Sequence, residues 1–96
     1  MDPITIAFAV EACQGRLSQG SPSGVIRRVC SDSRLVQPGD VFLAIPGERF
    51  DGHQFVSEVS TRGVAAVLVQ PGKWTGVDAN CAVIEVDDVR TALGRI

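Results

Sequence analysis

The sequence predicts an α/β domain in which helices flank a small sheet whose strands are mixed or largely parallel. Short apolar runs with the composition of buried strands lie at 41–45, 64–69 and 82–86, and helical spacing of apolar residues occurs before and between them. Clusters of Gly, Pro, Asp and Ser separate these segments. The chain has 96 residues, 45% of them hydrophobic, which predicts one folded domain over 1–96.

The first predicted element is a short helix over residues 4–14, where apolar side chains recur at three- and four-residue spacing. Asp2 or Thr5 can cap its start, and Gly15 is placed to end it in a left-handed conformation. A brief strand at 16–18 and a loop rich in Gly, Ser and Pro are expected to follow.

Two strands joined by a tight turn are predicted next, at 25–31 and 41–45. Pro38 and Gly39 fit the central positions of a type II turn, because proline presets φ and glycine accepts a positive φ. Asp51 is then placed to cap a helix that extends to about residue 62.

The rest of the chain adds two strands and a helix. Gly63 is expected to end the preceding helix, and the unbroken apolar run at 64–69 is typical of a strand covered on both faces. An irregular connection at 71–80 leads to a strand at 82–86. Asp87 or Asp88 is expected to cap the last helix, whose apolar positions are Val89, Ala92, Leu93 and Ile96. Because this pattern is still running at Ile96, we expect the chain to be a piece of a larger protein.

Composition excludes several functional classes. The net charge is −2 and no basic run occurs, so we expect no nucleic acid partner. The longest apolar runs, such as 64–69, are too short to span a bilayer, so we expect no insertion into a membrane. The start of the chain has no cationic segment of the kind that precedes a secretory signal, which makes the cytoplasm the expected compartment. The sequence has three widely spaced cysteines, Cys13, Cys30 and Cys81, with no CxxC pair, and it has only one histidine. We therefore expect no metal site, and we expect the three thiols to be buried.

Two polar clusters are the candidate site, because each follows a predicted strand that can hold it on a rigid base. The first cluster, at 32–34, offers a carboxylate acceptor, a hydroxyl and a guanidinium, which suit a nucleotide diphosphate. The second cluster, at 51–53, offers the backbone N–H groups of the first turn of the predicted helix. The predicted substrate-binding residues are Asp32, Ser33, Arg34, Asp51, Gly52 and His53.

Simpler interpretations of the same residues stay open. Asp32 can close a turn with its own backbone while Arg34 points into solvent, and Asp51 can act only as a helix cap. A lone histidine such as His53 is more often structural than catalytic. We therefore assign no catalytic residue and no metal ligand to this chain. It also lacks a GxxxxGK[ST] or GxGxxG sequence, so we expect no ATP bound through a phosphate loop and no cofactor in this domain.

The order of these segments resembles the N-terminal domain of the Mur ligases, in the MurE and MurF branch. The resemblance rests on the sequences SDSR at 31–34, VQPGDVFLA at 36–44, GERFDGHQF at 47–55 and GVAAVLV at 63–69. It implies an ATP- and Mg²⁺-dependent amide ligase of peptidoglycan synthesis that extends a UDP-N-acetylmuramoyl-peptide in the cytoplasm. It further implies that this domain holds the UDP end, while a central and a C-terminal domain, both absent from this chain, carry ATP and the incoming amino acid.

The loop at 47–53 and the end of the first helix favour the MurF branch, which adds D-alanyl-D-alanine, over the MurE branch, which adds a diamino acid. The resemblance implies that Asp32, Ser33, Arg34 and the 51–53 loop lie near the uridine diphosphate. This chain alone is expected to bind but not to ligate. The alternatives are a stand-alone binding or interaction module and a domain that keeps the fold without the ligand.

Overall fold

The computed structural model describes residues 2–46, 51–71 and 81–94. The strands in these ranges are β1 (Ile4–Thr5), β2 (Arg16–Gln19), β3 (Val25–Ile26), β4 (Arg28–Cys30), β5 (Asp40–Leu43), β6 (Ala66–Val69) and β7 (Ala82–Glu85). The α-helices are α1 (Ile6–Ala12), α2 (Val56–Ser60) and α3 (Val89–Leu93), and a 3-10 turn, Gly52–Phe55, leads into α2.

The main sheet has five strands in the order β2-β7-β6-β5-β4. Strands β4, β5, β6 and β7 are parallel, and β2 is antiparallel to β7. This confirms the predicted α/β class with a mixed, mostly parallel sheet. The carboxyl ends of the four parallel strands meet at one edge, which is where such sheets usually carry ligands.

Alternation along the central strands divides the core into two layers. Val41 and Leu43 face α1 and α3, whereas Phe42 and Ala44 face α2 and the loop that joins β4 to β5. All four residues of β6 are buried, which confirms the prediction of a strand covered on both faces. Apolar area is therefore removed from water on each side of the sheet, and this burial is the main favourable term in folding.

The start of the chain differs from the prediction. Ile4 and Thr5 pair with β3 in a separate two-stranded sheet, so α1 begins only at Ile6. Thr5 is the cap, since its side chain accepts from the N–H of Phe8 at 3.1 Å. The left-handed residue after α1 is Gln14, with φ of 56°, and not Gly15.

The segment predicted as one strand at 25–31 is divided in two. Val25 and Ile26 belong to the small sheet and Arg28–Cys30 to the main sheet, with Arg27 between them. Both turn glycines behave as predicted, because φ is 89° at Gly39 and 83° at Gly63.

The last described element is α3. Asp88 caps it by accepting from the N–H groups of Arg90 and Thr91, which confirms one of the two predicted caps. The helix ends at Leu93 with Gly94 as its C-cap, so it is shorter than the prediction, which counted Ile96 among its apolar positions and no glycine at its end. Residues 95 and 96 lie outside the described ranges. Most of the irregular connection predicted at 71–80 and part of the loop at 47–53 also lie outside those ranges.

Candidate functional site

A cavity of about 630 Å³ opens at the carboxyl edge of β4 and β5. Its volume falls within the range of about 300–1,000 Å³ that is usual for small-molecule sites. Its lining combines polar side chains with an apolar floor. The lining residues are Ser31, Asp32, Ser33, Arg34, Phe42, Ile45, Gly52 and Phe55.

The structure thus brings the first predicted cluster and one residue of the second to the same cavity. Asp32, Ser33 and Arg34 lie in the loop after β4, and Gly52 reaches the same space from the connection after β5. Asp51 and His53 are not among the described residues that line it. The sequence did not single out Phe42 and Phe55 for the site, because both follow core periodicity.

Asp32 and Arg34 form a bidentate pair at the rim. Arg34 Nε lies 3.1 Å from Asp32 Oδ1, and Nη2 lies 2.9 Å from Oδ2. Asp32 also accepts from the backbone N–H of Arg34 at 2.9 Å, so the predicted turn forms. The side-chain hydrogen bond from Arg34, followed by the backbone one, lowers the pKa of Asp32 to about 2. The Arg34 side chain is 85% exposed, which leaves room for an anion beside it.

Two other arginines hold this loop in place, although their positions in the sequence predict only solvated side chains. Arg62, on the residues that follow α2, donates to the carbonyl of Ser33, and Arg28 in β4 donates to the carbonyl of Leu35 at 3.0 Å. Only the folded chain brings these partners together, because the Arg62 contact spans 29 residues.

The second wall of the cavity is the backbone of the 3-10 turn. The N–H of Gly52 donates to the carbonyl of Ile45 at 3.0 Å, and that of His53 donates to Asp51 Oδ1 at 2.9 Å. The N–H of Gln54 donates to the carbonyl of Asp51 at 3.0 Å. Each of these three N–H groups thus has an acceptor within the chain, on Ile45 for Gly52 and on Asp51 for the other two. The turn contributes shape to the cavity.

Close approach of backbone to backbone requires glycine at position 52. A Cβ atom added there would lie 2.7 Å from the N of Ile45 and 2.8 Å from the Cα of Ala44. Neither atom belongs to a movable side chain, so any larger residue would push the turn away from β5.

His53 lies behind this wall with a side chain that is only 3% exposed. Its Nδ1 is 2.5 Å from Asp51 Oδ1, and its Nε2 accepts from the N–H of Gln70 at 2.9 Å. The ring therefore braces the turn against the end of β6.

The three cysteines form no disulfide with one another. Cys13 is buried as predicted. Cys30 and Cys81 are only half-buried, and they pack against the core layer that contains the apolar residues of α2. Burial raises the pKa of the Cys81 thiol to about 11, which keeps it protonated at neutral pH. Among the described residues no group of three or more His, Cys, Asp or Glu side chains could hold a metal ion, and no helix has the length and apolarity to cross a membrane.

Fold and cavity together define an α/β domain with a cavity at the carboxyl edge of its sheet, bordered by the guanidinium of Arg34. The chain matches the model of the Mur ligase family, catalytic domain, over residues 25–96. Because that match covers most of its length, the chain belongs to the Mur ligase family, as the sequence motifs predicted.

Relatives from both predicted branches match it. The UDP-N-acetylmuramoyl-tripeptide--D-alanyl-D-alanine ligase of Bacillus subtilis is 43% identical over 93 residues, which are 96% of this chain and 20% of that protein. The UDP-N-acetylmuramoyl-L-alanyl-D-glutamate--2,6-diaminopimelate ligase of Streptomyces coelicolor is 37% identical over 84 residues, which are 84% of this chain and 17% of that protein.

A solved structure agrees with these matches. A crystal structure of MurF from Acinetobacter baumannii superposes with a TM-score of 0.82 at 38% identity, over 99% of this chain and 20% of that one. The chain therefore spans about a fifth of the length of these relatives.

Proposed function

We propose that this chain is the substrate-binding domain of a MurF-type ligase, and that its cavity holds the uridine diphosphate end of a UDP-N-acetylmuramoyl-peptide. The observation that carries the proposal is the meeting of the 32–34 loop and the Gly52 turn on one cavity of nucleotide size. Family membership supports the choice of ligand class.

Most of the lining residues have a role in this proposal. Arg34 binds the diphosphate, since a guanidinium matches phosphate oxygens in a planar fork. Asp32 and Ser33 contact the uracil or the ribose. Phe55, half-buried next to the fully buried Phe42, gives an apolar floor on which a base can rest. Asp51 and His53 do not contact the ligand but hold in place the turn that contains Gly52.

The whole protein would be a cytoplasmic enzyme of peptidoglycan synthesis, and hence of cell-wall growth, cell shape and division. Its central and C-terminal domains would use ATP and Mg²⁺ to activate a substrate carboxylate as an acyl phosphate, which an amine then attacks. This chain by itself would bind substrate without ligating it.

The branch assignment has support on both sides. The 43% identity to the B. subtilis enzyme across nearly the whole chain and the MurF structure favour MurF. The S. coelicolor relative is the observation that favours the MurE alternative. A ligation assay of the longer polypeptide with D-alanyl-D-alanine, diaminopimelate and lysine separates the two.

The test of binding is a calorimetric titration of this chain with UDP. We expect binding, and we expect Arg34→Ala to weaken it by more than about tenfold, or about 1.4 kcal/mol. Arg27→Ala is the matched control, because Arg27 is an exposed cation that does not line the cavity. Absence of UDP binding, or equal losses in the two variants, would contradict the proposal.

A further inference from the structure

A chain of hydrogen bonds runs from the cavity wall to the start of α3, and the binding proposal uses only its first link. Because His53 Nε2 accepts from the N–H of Gln70, the ring proton lies on Nδ1 and is donated to Asp51. The side-chain oxygen of Gln70 then accepts from the N–H of Val89 at 3.0 Å. Val89 is fully buried and is the first residue of α3.

The next residue of α3 reaches the same connection from the other side. Arg90 donates to the carbonyl of Pro46, just after β5. The first turn of α3 is therefore tied to both Pro46 and Asp51, the described residues on either side of the segment between β5 and the 3-10 turn. The hydrogen bond from Gly52 to Ile45 closes the same loop at its base.

We propose that His53 is a positioning residue for the cavity, and that the bond from the Gln70 N–H to Nε2 is the link that fixes the Gly52 turn. Gly52 has no side chain, so the wall that it forms moves only when the turn moves. His53 then controls ligand affinity without contact with the ligand. The affinity part of this inference rests on the proposed function, whereas the structural part does not.

Two substitutions separate the two bonds of the ring. The side-chain oxygen of glutamine reaches roughly the position of Nε2, so His53→Gln keeps an acceptor for Gln70. The side chain of asparagine reaches only the position of Nδ1, so His53→Asn keeps the partner of Asp51 and loses the link to β6. Each variant removes one hydrogen bond of a buried ring, so a merely structural role predicts similar effects in both.

The first measurement is the UDP dissociation constant of each variant at a temperature where both are folded. We expect His53→Gln to bind within about threefold of wild type and His53→Asn to bind at least about tenfold more weakly. Ser57→Ala, an exposed change in α2, is the control and should leave the constant unchanged. Equal losses in the two histidine variants, or the reverse order, would overturn the inference.

The second measurement needs no ligand. In ¹⁵N NMR spectra of the free chain, His53→Asn should displace the amide signals of Gly52 and Val89, and His53→Gln should leave them near their wild-type positions. A Gly52 signal that stays in place in the asparagine variant would overturn the inference. If wild type does not bind UDP, the proposed function fails, and these spectra still decide whether His53 positions the turn.

Discussion

Gly52 is a lining residue of the cavity that cannot be larger, because its Cα packs directly on the backbone just after β5. The turn that contains it is held by its own hydrogen bonds and by the buried ring of His53. A Cβ atom at this position would meet the backbone of Ala44 and Ile45, so a larger residue fits only if the turn shifts.

Gly52→Ala should therefore destabilise the fold by about 1–3 kcal/mol and weaken UDP binding as well. Gly94→Ala is the matched control, since a Cβ there meets nothing closer than the carbonyl oxygen of Thr91 at 3.6 Å. We expect its effect to stay within about 0.5 kcal/mol. Urea unfolding of both variants checks the expectation, which equal stabilities would contradict.

Under the proposed function, a diphosphate must compete with Asp32 for the guanidinium of Arg34. The pKa of Asp32, lowered to about 2, keeps its carboxylate ionised at neutral pH, so Arg34 is paired while the site is empty. The pair is largely exposed, and exposed ion pairs contribute little to stability. A diphosphate can therefore attract the guanidinium at small cost, while Asp32 becomes free to accept from a sugar or base.

The sequence predicted these local features well, because each depends on neighbours in the chain. The turn at Asp32 and the cap at Asp51 join residues two positions apart. The roles of Arg28 and Arg62 depend on contacts across the fold and could not be predicted from spacing.

Among the elements, β4 and β5 are joined by an ion pair in which the carboxylate of Asp40 is buried and the guanidinium of Arg28 is half-exposed. Asp40, 2% exposed, accepts from Arg28 Nε at 3.0 Å and Nη2 at 2.8 Å, and from the N–H of Gln37 at 2.8 Å. Burial opposes ionisation of Asp40, but the hydrogen bonds from Arg28 and Gln37 outweigh it and hold its pKa below the ordinary value.

Asp40→Asn should lower the free energy of unfolding by about 2 kcal/mol at pH 7, because it removes charged hydrogen bonds from a buried site. A depressed folded-state pKa stabilises the protein above the ordinary carboxyl pKa of about 3.9, and this contribution is lost as the pH falls toward the folded value. Urea unfolding should thus show the difference from wild type shrinking below about pH 4. Asp2→Asn, at an exposed position, is the control. A difference that is constant with pH would contradict the assignment.

Element boundaries were predicted less well than element types. The helix predicted at 4–14 loses its first two residues to β1, because Ile4 and Thr5 find strand partners in Val25 and Ile26. Local helical spacing carries no information about a partner about 20 residues away. The helix predicted to follow Asp51 begins as a 3-10 turn, since Gly52 is held against Ile45.

At the scale of the whole molecule, the two apolar layers meet at the centre of the sheet. Strand β6 lies between β5 and β7, and its four residues are buried on both faces. Strand β2 lies at one edge and has three exposed residues of four. Local opening should therefore cost least at the edge and most at the centre.

Amide hydrogen exchange should be slowest in β6 (Ala66–Val69) and faster by orders of magnitude in β2 (Arg16–Gln19). NMR-detected exchange of the free chain measures both sets in one sample. Comparable protection in the two strands would mean that the sheet opens as a unit.

Strand order belongs to this scale and could not be derived from the sequence. Buried apolar runs predict strands and a parallel arrangement, but they do not state which strands are neighbours. The antiparallel pairing of β2 with β7, which joins residues as far apart as Arg16 and Glu85, became visible only in the folded chain.

Because β4 to β7 are parallel and the cavity lies at their carboxyl ends, the amino ends of these strands take no part in it. The loop between β2 and β3 lies at the amino ends of the parallel strands, and its residues Ser21 and Ser23 are exposed. A dye or a surface tether attached there would sit at the far end from the 32–34 loop. Immobilised in that orientation, the domain would keep the entrance of the cavity facing the solution. Small molecules could then be screened for binding by surface-based detection.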